Sequence, residues 1–211
     1  FSMGFRKVVL SGLNESHKIG PEILDDIIST AEVALVIGSI ASADIDGDCD
    51  FDLAIGLGKE KGIQIYLNDN GRFEKAPDNM GIDSTGDIAA FSMTDINGDG
   101  WPDLLVGHVY EPDSKLWLNN GGNGFLRVTQ FGHDTVRTTH NSTFADIDND
   151  GDLDMFSHNW DFMRTAEEIH VWKNDGRGLF EPWQDDVVYG AFGDRDYTFA
   201  ANFADVNKDG N

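Results

Sequence analysis

One nine-residue loop occurs three times in this chain at a spacing of 51 residues, and its opening occurs a fourth time. The copies read Asp44-Ile45-Asp46-Gly47-Asp48-Cys49-Asp50-Phe51-Asp52, Asp95-Ile96-Asn97-Gly98-Asp99-Gly100-Trp101-Pro102-Asp103 and Asp146-Ile147-Asp148-Asn149-Asp150-Gly151-Asp152-Leu153-Asp154. The fourth, Asp205-Val206-Asn207-Lys208-Asp209-Gly210, stops at Asn211. A fixed period of this length predicts an array of structural units, each built around one copy of the loop.

The residue types predict what the loop binds. Calcium takes six to eight hard oxygens, and alternate residues of a tight loop turn their side chains to one centre. Positions 1, 3 and 5 are therefore acids or Asn: Asp44, Asp46, Asp48; Asp95, Asn97, Asp99; Asp146, Asp148, Asp150; and Asp205, Asn207, Asp209. Position 7 offers its backbone carbonyl, so its identity is free, as Asp50, Trp101 and Asp152 illustrate. Position 9 closes the shell with Asp52, Asp103 or Asp154. Position 6 needs a positive φ, which Gly supplies; Cys49 breaks the rule in the first loop. An EF-hand would need Glu at position 12 between two helices. Position 12 is Ile55, Val106 and Ser157, and a strand-like run follows each loop.

These loops account for most of the charge. The chain of 211 residues carries 38 Asp and Glu against 15 Lys and Arg, a net charge of −23. Without the 15 loop acids the remainder is −8. The acidity is a metal requirement, and with no basic patch to meet phosphates it excludes nucleic acid as a partner. Cys49 is the single cysteine, so an intrachain disulfide and a multi-thiolate zinc site are both excluded. No apolar run reaches transmembrane length, and no signal peptide is recognisable. Loops of modest calcium affinity fill where calcium is near millimolar, which predicts an extracellular or cell-surface setting.

Each repeat reads in the same order. A short strand leads into the loop, a second follows it, and a third carries Ile63–Leu67, Lys115–Leu118 or Ile169–Lys173. Turn signals come next, at Asn68–Gly71, Asn119–Gly122 and Asn174–Gly176, and a fourth strand opens at Phe73, Phe125 or Phe180. The predicted fold is all-β, a β-propeller of four-stranded antiparallel blades. Three complete blades span about 39–75, 88–128 and 139–182. Partial blades are expected at 1–13 and 198–211, which would make the chain a section of a longer propeller.

The loops, the strands Ile65-Tyr66-Leu67-Asn68 and Leu116-Trp117-Leu118-Asn119, and the Gly124-Phe125 that follows resemble the FG-GAP/VCBS repeat family. The stretch Phe144–Asp154 is the best match. The resemblance implies the calcium-binding propellers of integrin α-subunits and of many bacterial surface proteins. The Phe-Gly and Gly-Ala-Pro signatures that name the family are poorly kept, so integrin-like ligand binding is not implied.

Successive antiparallel strands alternate in direction, which puts the calcium loops and the third-to-fourth turns on one face. The long connections then share the other face, where variable loops on a rigid scaffold carry function. A protein or glycan ligand is expected there, held by Trp160, Phe162, Arg164, Trp183 and Arg195. The repeated aromatics Tyr66, Trp117 and Trp172 are expected in the core instead. His158 near Asp161 could form an acid–base pair, but no nucleophile or second carboxylate is placed with it, so no catalytic residue is assigned. The leading expectation is an extracellular adhesion or recognition module with structural Ca2+. Its alternatives are the propeller of a polysaccharide-active enzyme and a subunit of a self-assembling extracellular structure.

Overall fold

The apolar run after each loop becomes a strand covered on both faces. Asp52–Gly56 and Asp103–His108 are buried at every position. Such strands read as continuous apolar sequence and not as alternation, as Leu53-Ala54-Ile55 and Leu104-Leu105-Val106 do. The computed structural model describes residues 39–57, 62–84, 86, 88–108, 114–132, 139–159 and 171–183, with the backbone alone at 139–140 and 158–159. These residues form three four-stranded antiparallel sheets.

The first sheet holds Ile40–Ala43 (β1), Asp52–Gly56 (β2), Ile63–Asp69 (β3) and Arg72–Lys75 (β4). The second holds Ile88–Thr94 (β5), Asp103–His108 (β6), Lys115–Asn119 (β7) and Phe125–Val128 (β8). The third holds Thr139–Ala145 (β9), Asp154–Asn159 (β10), Val171–Asn174 (β11) and Phe180–Pro182 (β12). Spatial order follows chain order in each. The leading strands β1, β5 and β9 lie side by side, so the sheets fan outward from a common inner edge. The outer strands are short and charged, with Phe73 buried in an otherwise exposed β4, which suits an edge that must not pair with another chain. This is the meander of propeller blades. The three sheets do not close into a ring, and residues 1–13 and 198–211 lie outside the described residues. Among the described residues no helix is long and apolar enough to cross a membrane.

Alternation along the second strand assigns faces to the cores. Ala54 on one side of β2 joins Leu104, Val106, Trp117 and Phe91 in the core between the first two blades. Leu53 and Ile55 on the other side pack with Tyr66 and Phe73. Leu105 of β6 turns to a second core with Met155, Trp172 and Phe131, between the second and third blades. Tyr66, Trp117 and Trp172 are all core residues, as expected of aromatics that recur in register.

Polar ties reinforce the apolar contact. Ser92 Oγ donates to the Ser142 carbonyl (2.9 Å), and Phe180 N to the Phe131 carbonyl (2.9 Å), each linking the second and third blades. Beside the latter, a Cβ on Gly132 (φ +86°) would stand 1.7 Å from the Phe180 carbonyl oxygen, so only Gly lets the two blades meet there.

Candidate metal centre

Each loop is organised by its own carboxylates before any ion is considered. In the first, Asp44 Oδ1 accepts from Gly47 N (2.8 Å) and Oδ2 from Cys49 N (3.1 Å). Asp95 does the same for Asp99 N and Gly100 N, and Asp146 for Asp150 N and Gly151 N. The position-5 carboxylate accepts from the N–H two residues on, at 2.8, 2.9 and 3.1 Å. These short-range bonds wrap the backbone around the side chains at positions 1, 3 and 5, as Asx turns do.

The result is a cluster of oxygens on one centre. Asp44, Asp46 and Asp48 each bring a carboxylate oxygen within 4.8 Å of the others, and so do Asp146, Asp148 and Asp150. Two ligands of one calcium ion, each at about 2.3–2.6 Å, lie no more than about 5 Å apart. The donor set is all-oxygen and acidic, so both clusters can hold such an ion. The second loop has Asn97 in place of the middle acid. Its amide oxygen accepts from Asp99 N (3.1 Å) and its amide nitrogen donates to Asp99 Oδ2 (3.0 Å). An amide oxygen is also a calcium ligand. In the third loop Asp148 Oδ1 is buried with no hydrogen-bond partner among the described residues.

Position 9 does more than the sequence predicts. Asp52, Asp103 and Asp154 are fully buried. Oδ2 of each accepts from the position-2 N–H (Ile45 2.7 Å, Ile96 2.9 Å, Ile147 3.0 Å). Oδ1 accepts from the N–H of an Asn at the end of the third strand (Asn68 2.8 Å, Asn119 2.8 Å, Asn174 2.9 Å). This carboxylate therefore pins the loop to the blade. Burial raises Asp52 and Asp103 to about 6, against the lowering effect of those N–H groups. Asp154 is raised for the same reason. Asp46 is raised by burial and then by the neighbouring Asp48 charge.

The third-strand Asn is the member of the site that sequence reasoning took for a turn signal alone. Asn119 Nδ2 donates to the carbonyl of Ile45 in the preceding blade (2.9 Å), and Asn174 Nδ2 to that of Ile96 (2.7 Å). Their Oδ1 atoms accept from the turn glycines Gly122 and Gly178. The same side chain thus joins one blade's turn to the previous blade's loop. Ile45 and Ile96, buried at position 2, anchor those loops in the interblade cores, each worth about 1.5–3 kcal/mol of burial.

The identity of position 7 is not free. Asp50 Oδ2 accepts from Asn70 N in the adjacent turn (2.7 Å), which puts loop and turn on one face, as strand parity requires. The Trp101 ring reaches back to the preceding blade. A Cβ on Gly47 would stand 2.5 Å from it, so a side chain there would have to displace the Trp101 ring as well as adopt a φ of +82°. Trp101 and the exposed Phe51 line a hollow of about 390 Å³ between the first two loops, with Asp44 and Asp95 at its edge.

Cys49 adopts φ +73°, a left-handed conformation that costs a residue with Cβ about 1–2 kcal/mol. Glycine there removes that strain but adds about 0.4–1 kcal/mol of unfolded-state entropy. Cys49→Gly should therefore stabilise the protein by roughly 0.5–1 kcal/mol. Urea unfolding checks this, and an unchanged or lower midpoint would contradict it.

Of the expected ligand-face residues, Trp183 is described. It is half-buried, and its N–H donates to the Val171 carbonyl (2.9 Å), extending the outer edge of the third blade. Trp160, Phe162, Arg164 and Arg195 lie outside the described residues, as do Asp161 and the fourth loop with Asp205, Asn207 and Asp209. His158 lies in β10, where only its backbone is described.

Comparison with known proteins follows the repeat. The model of the family described as FG-GAP-like repeat matches residues 44–106 and again 95–157. Curated proteins give no match. Among solved structures the chain is similar to an Agrocybe aegerita lectin, described as recognising non-reducing terminal N-acetylglucosamine, at 22% identity and a TM-score of 0.49. That similarity covers 69% of this chain and 37% of the lectin, so the chain spans little more than a third of that protein. The two family matches run across both interblade boundaries and together cover more than half of the sequence; on that ground this chain belongs to the FG-GAP-like repeat family.

Proposed function

We propose that this chain is a calcium-stabilised propeller module for recognition or adhesion, acting outside the cell or on its surface. The observation that carries the calcium reading is the convergence of three carboxylates in each of two loops, with their oxygens within 4.8 Å of one another. Asp44, Asp46 and Asp48 would hold one ion, Asp95, Asn97 and Asp99 a second, and Asp146, Asp148 and Asp150 a third. The ion would supply the positive charge that gathered carboxylates lack, and in the first two loops it would do so where the loop is tied to the next blade. Calcium is structural in this reading. The ligand, a protein or a glycan, binds on the opposite face through the long connections that carry Trp160, Phe162, Arg164 and Arg195.

A second placement of the ligand is favoured by one observation. Phe51 is 53% exposed and stands with Trp101 in the hollow between two loops, an arrangement suited to stacking on a sugar ring or an apolar side chain.

Elemental analysis tests the calcium reading. Protein dialysed against near-millimolar calcium and then freed of unbound ion should retain calcium in ratio to its loops. Protein with Asp44, Asp95 and Asp146 all replaced by Ala should retain far less. Equal metal in both would defeat the proposal.

A further inference from the structure

The third loop differs from the first two in what faces its carboxylates. Position by position, the third strands read Tyr66-Leu67-Asn68, Trp117-Leu118-Asn119 and Trp172-Lys173-Asn174. The residue between the core aromatic and the interblade Asn is Leu in two blades and Lys in the third. Lys173 Nζ pairs with Asp148 Oδ2 and lies 3.2 Å from Asp150 Oδ2. Asp148 and Asp150 are positions 3 and 5 of the loop, two of the three residues that converge there. The ammonium therefore sits against the oxygens that a cation would use. Leu67 and Leu118 have no charge to offer the first and second loops.

We infer that Lys173 is a built-in counter-ion of the third loop, which calcium must displace, so that this loop fills after the other two. The inference rests on the calcium reading above. An ammonium brings one charge and three donors that point along N–H bonds. A calcium ion brings two charges and accepts six to eight oxygens without directional preference. The lysine neutralises the loop only in part, and Asp148 Oδ1 is left buried with no hydrogen-bond partner among the described residues. Calcium would satisfy that oxygen as well, and so can win, but it must first break both lysine contacts. Lys173 is half-exposed on a flexible stem and can withdraw to solvent without moving the strand that carries it. Among the described residues the first and second loops have no such contact to break. Three loops of similar ligand chemistry are thereby divided into two that fill first and one that fills at higher calcium.

Lys173→Leu restores the residue found in the other two blades and tests this in the full chain. Calorimetric calcium titration of the wild type should show a tight phase and a separate weak phase. In the variant the weak phase should strengthen about tenfold or more, an easing of about 1.4 kcal/mol, while the tight phase stays put. A melt in EGTA gives a second readout that needs no metal. There the variant should unfold below the wild type, because the loop carboxylates have lost their only neutralising group among the described residues. In saturating calcium it should unfold at or above the wild type. A titration unchanged by the substitution, or a weak phase made weaker, overturns the inference while leaving the calcium reading intact. Absence of calcium binding in both proteins defeats the calcium reading itself, and the inference with it. A variant that melts with the wild type in EGTA shows that the ion pair does nothing in the empty loop and also overturns the inference.

Discussion

Chelating calcium with EGTA should lower the melting temperature by about 10–20 °C. The size follows from linkage. A ligand that binds the folded state alone at a hundred times its dissociation constant adds about 2.7 kcal/mol per site. Counting the two loops that lack a lysine, the loss is about 5 kcal/mol, and a domain of this size moves about 2–4 °C per kcal/mol. The structure explains why the loss should spread beyond the loops. Ile45 and Ile96 contribute their side chains to interblade cores and their carbonyls to Asn119 and Asn174 of the next blade. A loop pushed open by its own carboxylates would pull on both contacts. Differential scanning calorimetry with calcium, with EGTA, and with EGTA plus excess magnesium measures the effect. Magnesium, which prefers a rigid octahedron and its own water, should restore little. An unchanged melt in EGTA would remove calcium from the account of this fold.

How much of this was written in the sequence depends on how local each contact is. Loop residues at positions 1, 3 and 5 organise a backbone no more than five residues away, so the chemistry shows as a spacing within one short window. The order of strands was equally legible, because turn signals and apolar runs recur in register with the loops. Asn119 was read as part of an Asn-Asn-Gly-Gly turn, which it is, since it accepts from Gly122 N. Its second role, a hydrogen bond to Ile45 across 74 residues, leaves no local trace. A repeated Asn at the end of every third strand was the available signal, and the turn already explained it. Trp101 and Lys173 show the same limit. One looked like an unconstrained position-7 residue and the other like an ordinary strand lysine. Each acts on a loop that the fold, and not the spacing, brings within reach. The ligand-face residues were proposed from loop length and aromatic content alone, and that kind of inference fixes no geometry.

The sharpest single-residue effect is expected at Asp103. It is fully buried, and both of its oxygens are committed, to Ile96 N at 2.9 Å and Asn119 N at 2.8 Å. Asp103→Ala leaves two buried N–H groups unsatisfied at about 1–3 kcal/mol each, a loss of about 2–6 kcal/mol that should appear even in EGTA. Asp103→Asn should fall between, because its amide oxygen can serve one N–H while its amide nitrogen confronts the other. The pair of variants also separates anchoring from charge. Burial holds the carboxyl at about 6 in the fold against 3.8 as the ordinary value. A raised pKa means that the stability this group contributes is fully present below about 3.8 and is lost as the pH rises through about 6. The difference corresponds to about 3 kcal/mol. Calcium-free wild type should therefore become more stable as pH falls from 7 toward 5. Asp103→Asn, with nothing to titrate there, should show a shallower rise, with the remainder coming from Asp52, Asp154 and Asp46, which are also raised. With calcium bound the dependence should reverse, because protons and the ion would compete for the loop acids. Thermal melts of the three proteins in EGTA across that range decide the matter. An Asp103→Ala melt equal to the wild type would show that the carboxylate does not anchor the loop, and equal pH slopes for wild type and Asp103→Asn would show that its burial carries no charge penalty.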